Sequence, residues 1–340
     1  MATELPTYSH CASKALAFIT ERLTESGSLG TDLKDVCCYY KAPMMFISAG
    51  RLDTANQILS HIKTHYMQPS GDFMTDTDTK SAKGEYAEFW GYVNGWIVRA
   101  SQICGRDDIT VPALAYLMKY CHSNNGGCLT HRVDEKNDLT TDLLMTAHLG
   151  LIHLEGGRIE RAVAAGDYLC AALAAQPCLK KALYLRLDSD SNVVTEFDTA
   201  MAPFMVVERA KPHQLYFMLG YPIAYLTLLF EKTGEAKYLE SSKEYARFAL
   251  CCNASVFNSN FSHKLAWGLS LLQKYESGEW YINAIRRIGD QFEKLQGKEG
   301  IWYYPSDLNT AFDQSAEITL WMMEITKNLA PKGPPLPCIQ

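Results

Sequence analysis

Gly126-Gly127-Cys128-Leu129, followed after a polar stretch by Asp142-Leu143-Leu144-Met145-Thr146-Ala147-His148-Leu149, is the phrase whose reading decides the fold. A glycine-led loop gives way to an acidic residue and then to an apolar helix with small residues in it. The phrase occurs again as Gly71-Asp72-Phe73 leading to Glu85, and as Gly300-Ile301-Trp302 leading to Asp313, with weaker copies entering near His213 and His263. The period is roughly fifty residues, and every unit reads as helix. One helical hairpin cannot bury its own apolar face and must lean on the next, so the repeat predicts stacked helical hairpins.

Apolar periodicity, punctuated by Gly and Pro, predicts about twelve helices in six pairs. The first covers about 9–25 and the second about 33–49, and Gly50-Arg51 leads into a third that ends near Tyr66. Later helices begin near Glu85, Val111, Leu139, Arg158, Pro212, Ala236, His263, Glu279 and Asp313. Connections alternate between short joints (Gly50-Arg51, Gly105-Arg106, Gly156-Gly157, Thr233-Gly234-Glu235, Ser277-Gly278) and long loops (67–84, 122–138, 176–211, 296–312). In a closed ring of hairpins all long loops fall at one rim. Long irregular loops tend to carry function, which places a site at that rim. The longest loop alternates in Leu183-Tyr184-Leu185-Arg186-Leu187 before Asp188 to Asn192, and predicts a small β-hairpin over 183–197.

On three stretches (the Gly-Gly-Cys-Leu phrase with 138–149, Thr233-Gly234-Glu235-Ala236-Lys237-Tyr238-Leu239, and Asp313 to Trp321) the chain resembles the six-hairpin (α/α)6 toroids. That group includes N-acylglucosamine 2-epimerases, six-hairpin glycosidases and, more loosely, terpenoid cyclases and prenyltransferase β-subunits. The resemblance covers Ser9 to Leu329. It implies an all-α (α/α)6 toroid of six helical hairpins as a single domain over 1–330, with the proline-rich 331–340 as a tail.

At 340 residues, length alone suggests two domains, but no Pro/Ser-rich run or charge block interrupts the repeat. An apolar fraction of 47% and a charged fraction of 21% are those of a globular protein with ample core. A net charge of -6 without clustered Lys and Arg gives no footprint for nucleic acid. No apolar run reaches the roughly 18 residues a membrane span needs, and Met1 to Pro6 has no basic region followed by an apolar one, so no membrane association and a cytoplasmic location are expected. The eleven cysteines, two pairs of them adjacent, are expected to be free buried thiols.

If alternate helices line the ring, their first turns point from the long-loop rim into the centre, where unpaired amides and the positive dipole end favour carboxylates and anionic ligands. The candidate catalytic residues there are Glu88, Asp142, His213, His263, Asp313 and Glu317. The candidate substrate-binding residues are Tyr40, Lys41, Glu85, Trp90, Tyr92, Gln214, Tyr216, Trp267 and Trp302. Glu85 with Glu88, His213 with Tyr216, His263 with Trp267 and Asp313 with Glu317 are spaced to share a helix face. Carboxylates facing each other in an apolar cavity separate into one acid and one base, and a histidine at the same rim exchanges protons near neutral pH. The competing reading makes Glu85 and Asp313 first-turn dipole residues and pairs Glu88 and Glu317 with neighbouring cations. Aromatic side chains at the rim suit a sugar ring and an apolar polycycle equally.

Other signatures are weak. Asp76-Thr77-Asp78 is followed by Thr79 and Lys80 where a cyclase protonation motif needs further acid. Cys128 and His131, with only Cys121 and His122 nearby, lack a second regular pair, so no metal site is expected. No phosphate-binding loop or nucleophile elbow occurs, and no cofactor is called for. The leading expectation is a small-molecule enzyme using general acid and base chemistry on a polyhydroxylated or cyclic substrate, as isomerase, epimerase, lyase or hydrolase. The resemblance to sugar epimerases implies a histidine pair, for which His213 and His263 are candidates, plus a substrate-clamping Arg that no inner-helix start supplies. The alternatives are a cyclase acting on an apolar substrate and a noncatalytic binding protein or scaffold.

Overall fold

A computed structural model describes residues 8–122, 125–133, 139–276 and 278–330. Met1 to Pro6, Asp138, Ser277 and the tail 331–340 with Cys338 lie outside the described residues. Six inner helices form a closed ring: α2 (Ala42–Ser48), α5 (Trp90–Ile103), α7 (Leu143–Glu155), α10 (Phe217–Thr233), α12 (His263–Leu272) and α14 (Leu308–Leu329). Each packs against the next, and α14 returns to α2. Five of them continue through a short joint into an outer helix: α3 (Leu52–Tyr66), α6 (Asp107–Leu117), α8 (Ile159–Ala174), α11 (Ala236–Leu250) and α13 (Glu279–Leu295). The sixth outer helix is α1 (Ser9–Arg22), which packs on α14, so the first and last helices close the ring as a hairpin of distant segments. Two single-turn helices, α4 (Glu85–Glu88) and α9 (Ala202–Met205), lie in the long loops.

Composition separates the two layers. Every residue of α12 is buried, as is α7 from Leu143 to His153, whereas α13 buries only one stripe that includes Ile285, Ile288 and Phe292. A helix apolar on all sides belongs inside, and one with a single apolar stripe belongs on the surface.

The repeated phrase has a shared structural cause. Gly71 and Gly126 have φ of +87° and +77°, and a Cβ on either would come within 2.2 Å of the Pro112 carbonyl oxygen or 2.4 Å of the Ala164 carbonyl oxygen. Each loop therefore lies directly on an outer helix, which only glycine permits. Gly300, at φ +93°, lies on α1 in the same way. The residues that follow, Phe73, Cys128 and Trp302, are buried under the loops.

Several boundaries differ from the sequence reading. The second helix begins at Ala42, not near Leu33. Asp35 accepts from the Cys37 amide, Thr75, Ser81 and the Ala82 amide, which holds 36–38 in a 3₁₀ turn, and Pro43 suits a first helical turn. The helix expected at Glu85 is broken at Phe89, with φ −136° and ψ 58°, into α4 and α5. The last helix begins at Leu308, because the Asp307 carboxylate caps the Thr310 amide at 3.0 Å. Asp313 is therefore a second-turn residue. The β-hairpin at 183–197 exists as a turn closed by one Leu187–Val193 bridge, and its strands pair elsewhere. Residues 182–184 pair with 206–208, and 186–187 with 141–142, because both partners offer unpaired edges beside the loop.

Candidate active site

The first turns of the inner helices converge on a cavity of about 330 Å³ at the long-loop rim. Its walls are Tyr40, Tyr86, Phe89, Tyr92, Phe204, Phe217, Phe261, Leu144 and Leu215, and its polar groups are Lys41, Glu85, Lys264, Asp313 and Gln314. Phe89 meets Phe204 and Phe217 edge-on at 5.9 Å, and Phe217 meets Phe261 at 5.3 Å, so the rings brace one another. Glu85 is exposed at the mouth, while Lys41, Lys264 and Asp313 are buried at the floor.

The floor is a charge cluster built on three helices. Lys41, the residue before α2, places its Nζ 2.7 Å from Asp313 Oδ1 and 2.5 Å from Glu317 Oε2. Lys264, in the first turn of α12, reaches the same Glu317 oxygen at 2.9 Å. Asp313 Oδ2 accepts from Gln314 at 2.7 Å. The other Glu317 oxygen accepts from Trp321 Nε1 at 3.2 Å and from Tyr92 OH at 3.5 Å. Two lysines thus face two carboxylates, and aromatic faces surround both cations. Lys41 lies 5.0 Å from the Tyr40 ring and Lys264 5.7 and 5.6 Å from Phe217 and Phe261.

Burial and pairing set the protonation of this cluster. Burial alone would raise the Glu317 carboxyl, but Lys264 and Lys41 outweigh it and hold it well below the usual carboxylate range. Burial works against the Lys41 ammonium, and the Asp313 and Glu317 carboxylates reverse the effect and raise it. Lys264 receives less compensation. Burial and the Lys41 charge bring it down to about 8 against the pull of Glu317. His263, behind it, is held down to about 4 by burial and by Lys264, with Nε2 3.2 Å from the Lys264 amine and 3.7 Å from Glu317. It is a neutral imidazole at pH 7.

Lys264 is positioned by a close helix contact. A Cβ on Gly220 would come within 2.3 Å of the Lys264 backbone carbonyl, and one on Gly268 within 2.8 Å of the Gly220 carbonyl oxygen. These glycines let α10 and α12 touch backbone to backbone, which brings the Lys264 side chain to the cavity floor.

Of the residues singled out from the sequence, Tyr40, Lys41, Glu85, Tyr92 and Asp313 line the cavity, and Glu317 and His263 lie just beneath it. Others are occupied elsewhere. Glu88 pairs with Arg186 at 3.0 Å and His131 at 3.8 Å. Asp142 is fully buried, caps α7 by accepting from the Met145 amide at 3.0 Å, and lies 3.7 Å from Arg186. His213 is exposed on a loop at φ +54°, with its amide bonded to Ser255, because the helix expected near Pro212 begins at Phe217. His213 and His263 therefore form no pair at the cavity. Gln214 ties Glu208 to Lys211, and Tyr216 OH bonds the Lys211 carbonyl. Trp90 donates to Asp72 at 2.8 Å beside buried Lys80, Trp302 donates to the Phe292 carbonyl at 2.8 Å, and Trp267 stacks on Trp321 at 3.9 Å. Tyr86, Phe89, Leu144, Phe204, Leu215, Phe217, Phe261, Lys264 and Gln314 also line the cavity and are not among the catalytic and binding residues expected from the sequence, although Lys264 was placed in a first turn at the rim. Lys264 and Gln314 adjoin chosen neighbours, so their helix positions were visible. Phe204, in a loop, carried no periodic signal.

No protein-family model matches the chain, and no curated protein matches it in sequence. Solved structures do. The fold is similar to that of D-mannose isomerase, with a TM-score of 0.69 at 12% identity over 96% of this chain and 99% of that one. It is similar to a family 76 α-mannanase from Bacteroides thetaiotaomicron, with a TM-score of 0.62 at 13% identity over 95% of this chain and 96% of that one. It is also similar to the type II terpene cyclase MstE from Scytonema, with a TM-score of 0.60 at 14% identity over 94% of this chain and 97% of that one. The chain is a six-hairpin (α/α)6 toroid. That architecture serves an isomerase, a glycoside hydrolase and a cyclase, so it fixes where a site lies and leaves its chemistry to the side chains.

Proposed function

We propose that the protein is an enzyme that transfers protons on a compact, largely apolar cyclic substrate carrying one oxygen function. The observation that carries this reading is the cavity itself: nine apolar or aromatic walls and a buried floor of Lys41, Asp313 and Lys264 at one end. A volume of about 330 Å³ is at the small end of ligand pockets, which suits one or two rings better than an oligosaccharide. The apolar part of the substrate packs against the phenylalanines, and its oxygen meets the lysines. Asp313 takes a proton from the substrate, the Lys264 ammonium stabilises or protonates the developing oxyanion, and Lys41 holds Asp313 in place. Glu317 acts through the two lysines as their buried counterion, a positioning role.

A carbohydrate isomerase is the second reading. It is favoured by the likeness to D-mannose isomerase over nearly the whole of both chains. Against it, no histidine or arginine is among the described residues that line the cavity, and the charged groups there are confined to the floor and mouth. The test is solvent-deuterium incorporation, followed by NMR, with a panel of cyclic ketones, enones and phenols beside monosaccharides. The expected result is exchange or turnover of an apolar ring compound, lost in Asp313→Asn and reduced in Lys264→Met. Turnover of a sugar alone, or exchange unchanged in Asp313→Asn, would overturn the proposal.

A further inference from the structure

We infer that Cys121 and Cys128 form a peroxide-reactive dithiol, with Cys121 as the attacking thiolate and Cys128 as the resolving thiol. Neither residue lines the cavity, and the inference is independent of the reading given to it.

The two cysteines face each other across an antiparallel bridge at the long-loop rim. The His122 amide donates to the Gly127 carbonyl at 2.8 Å, one step inside the pair, which makes Cys121 and Cys128 a non-hydrogen-bonded pair. Such pairs are the closer kind, with Cα atoms about 4.5 Å apart, within the roughly 4.4–6.8 Å that a disulfide spans.

Donors around Cys121 favour its thiolate. His153 Nε2, on α7, is 3.7 Å from the Cys121 sulfur. Arg158 Nε donates to His153 Nδ1 at 3.3 Å, which leaves the ring hydrogen on Nε2, aimed at the sulfur. The Cys128 thiol has the larger effect on Cys121, ahead of His153, and the Arg161 charge adds to both. Together they hold the Cys121 thiol below its ordinary range against the opposing effect of burial, while Cys128 is raised by Cys121 and by its own burial. Cys121 is half-buried, whereas Cys128 is 2% exposed and fixed through its amide to Thr146 Oγ1 at 2.8 Å. A half-buried thiolate backed by a buried thiol is the arrangement that sulfenic acid formation and resolution call for.

In the first step the Cys121 thiolate attacks hydrogen peroxide. The S–O bond forms, the O–O bond breaks, and hydroxide leaves and takes up a proton to become water. In the second step the Cys128 sulfur, losing its proton, attacks the Cys121 sulfenic sulfur. The S–S bond forms, the S–O bond breaks and a second water leaves. Two thiols are oxidised and one peroxide is reduced to two waters.

The experiment treats the fully reduced full-length protein with one equivalent of hydrogen peroxide, quenches by alkylation and maps the cysteines by mass spectrometry. The exposed thiols of Cys178 and Cys251 serve as internal controls. The expected product is a Cys121–Cys128 disulfide formed before either control is modified, and in Cys128→Ser a Cys121 sulfenic acid trapped by dimedone. His153→Gln should slow the oxidation about tenfold near pH 6.5 and much less at pH 9, where an ordinary thiol ionises unaided. Oxidation of Cys178 and Cys251 while Cys121 remains reduced would overturn the inference. So would an unchanged pH profile in His153→Gln. The wild-type mapping requires no variant to fold.

Discussion

Replacing Glu317 by glutamine removes the counterion that Lys41 and Lys264 share while preserving its shape. Lys41 keeps Asp313 at 2.7 Å and stays charged. Lys264 has no second carboxylate within ion-pairing distance among the described residues, and it can escape by losing its proton. In the wild-type protein it titrates at about 8 against an ordinary 10.5. At about 1.36 kcal/mol per pKa unit, keeping it protonated in the fold at pH 7 costs about 3 kcal/mol. A lysine that is fully neutral in the fold at pH 7 costs about 5 kcal/mol on the same scale. The Lys264 contribution to the Glu317→Gln deficit is therefore limited to about 1–2 kcal/mol at pH 7, under the 3–5 kcal/mol for a buried pair whose surviving charge cannot discharge. The sign follows from proton counts. With the folded pKa depressed, the unfolded state binds more protons between about 8 and 10.5, so stability rises with pH there and is lost as pH falls through about 8. In the variant that slope continues below 8, and at pH 9, where Lys264 is mostly neutral in both proteins, the difference closes. Urea unfolding followed by circular dichroism at pH 7 and pH 9 reads both values. A deficit of equal size at the two pH values, or one above about 3 kcal/mol at pH 7, would refute the reasoning.

Three further outcomes are expected of the same molecule. Asp142 is raised from 3.8 to about 6 by burial, so its stabilising contribution is full below 3.8 and lost as pH rises through 6; Asp142→Asn should be up to about 3 kcal/mol more stable than wild type at pH 7.5 and equal to it near pH 3.5, read by urea midpoints. Gly220→Ala drives a methyl group into the Lys264 backbone and should cost about 1–3 kcal/mol or more in thermal unfolding, whereas Gly105→Ala, in open space but at φ +65°, meets no clash and is limited to backbone strain. If the Lys264 ammonium is the acid, turnover of the substrate should fall as pH rises through about 8, and that limb should disappear from the pH–rate profile of Lys264→Met.

The ring was legible in the sequence because its causes are periodic. Gly71, Gly126 and Gly300 recur for one steric reason, and inner helices such as α7 are apolar all round while α13 is striped. Helix starts were less legible, because side-chain caps set them. Asp142 and Asp307 each end a loop by accepting the amide three residues on, which moved the observed starts away from the hydrophobic pattern. The cavity floor was half legible. Lys41, Asp313 and Glu317 come from opposite ends of the chain, and only ring closure between α14 and α2 brings them together. Glu88 and Asp142 had the same acidic, first-turn signature as Asp313, yet Arg186 from the 182–187 strand segment engages both, a partner no local pattern announces. His213 depended on a helix start that the loop does not adopt.

Ligand binding to the wild-type protein and to Leu144→Trp, whose larger side chain fills the cavity, tests the central claim most directly. Thermal shift against apolar cyclic ketones and phenols, with monosaccharides in the same panel, should give stabilisation by an apolar ring compound in the wild type and none in Leu144→Trp. Stabilisation by monosaccharides alone, or equal stabilisation of both proteins by the same compound, would contradict the account.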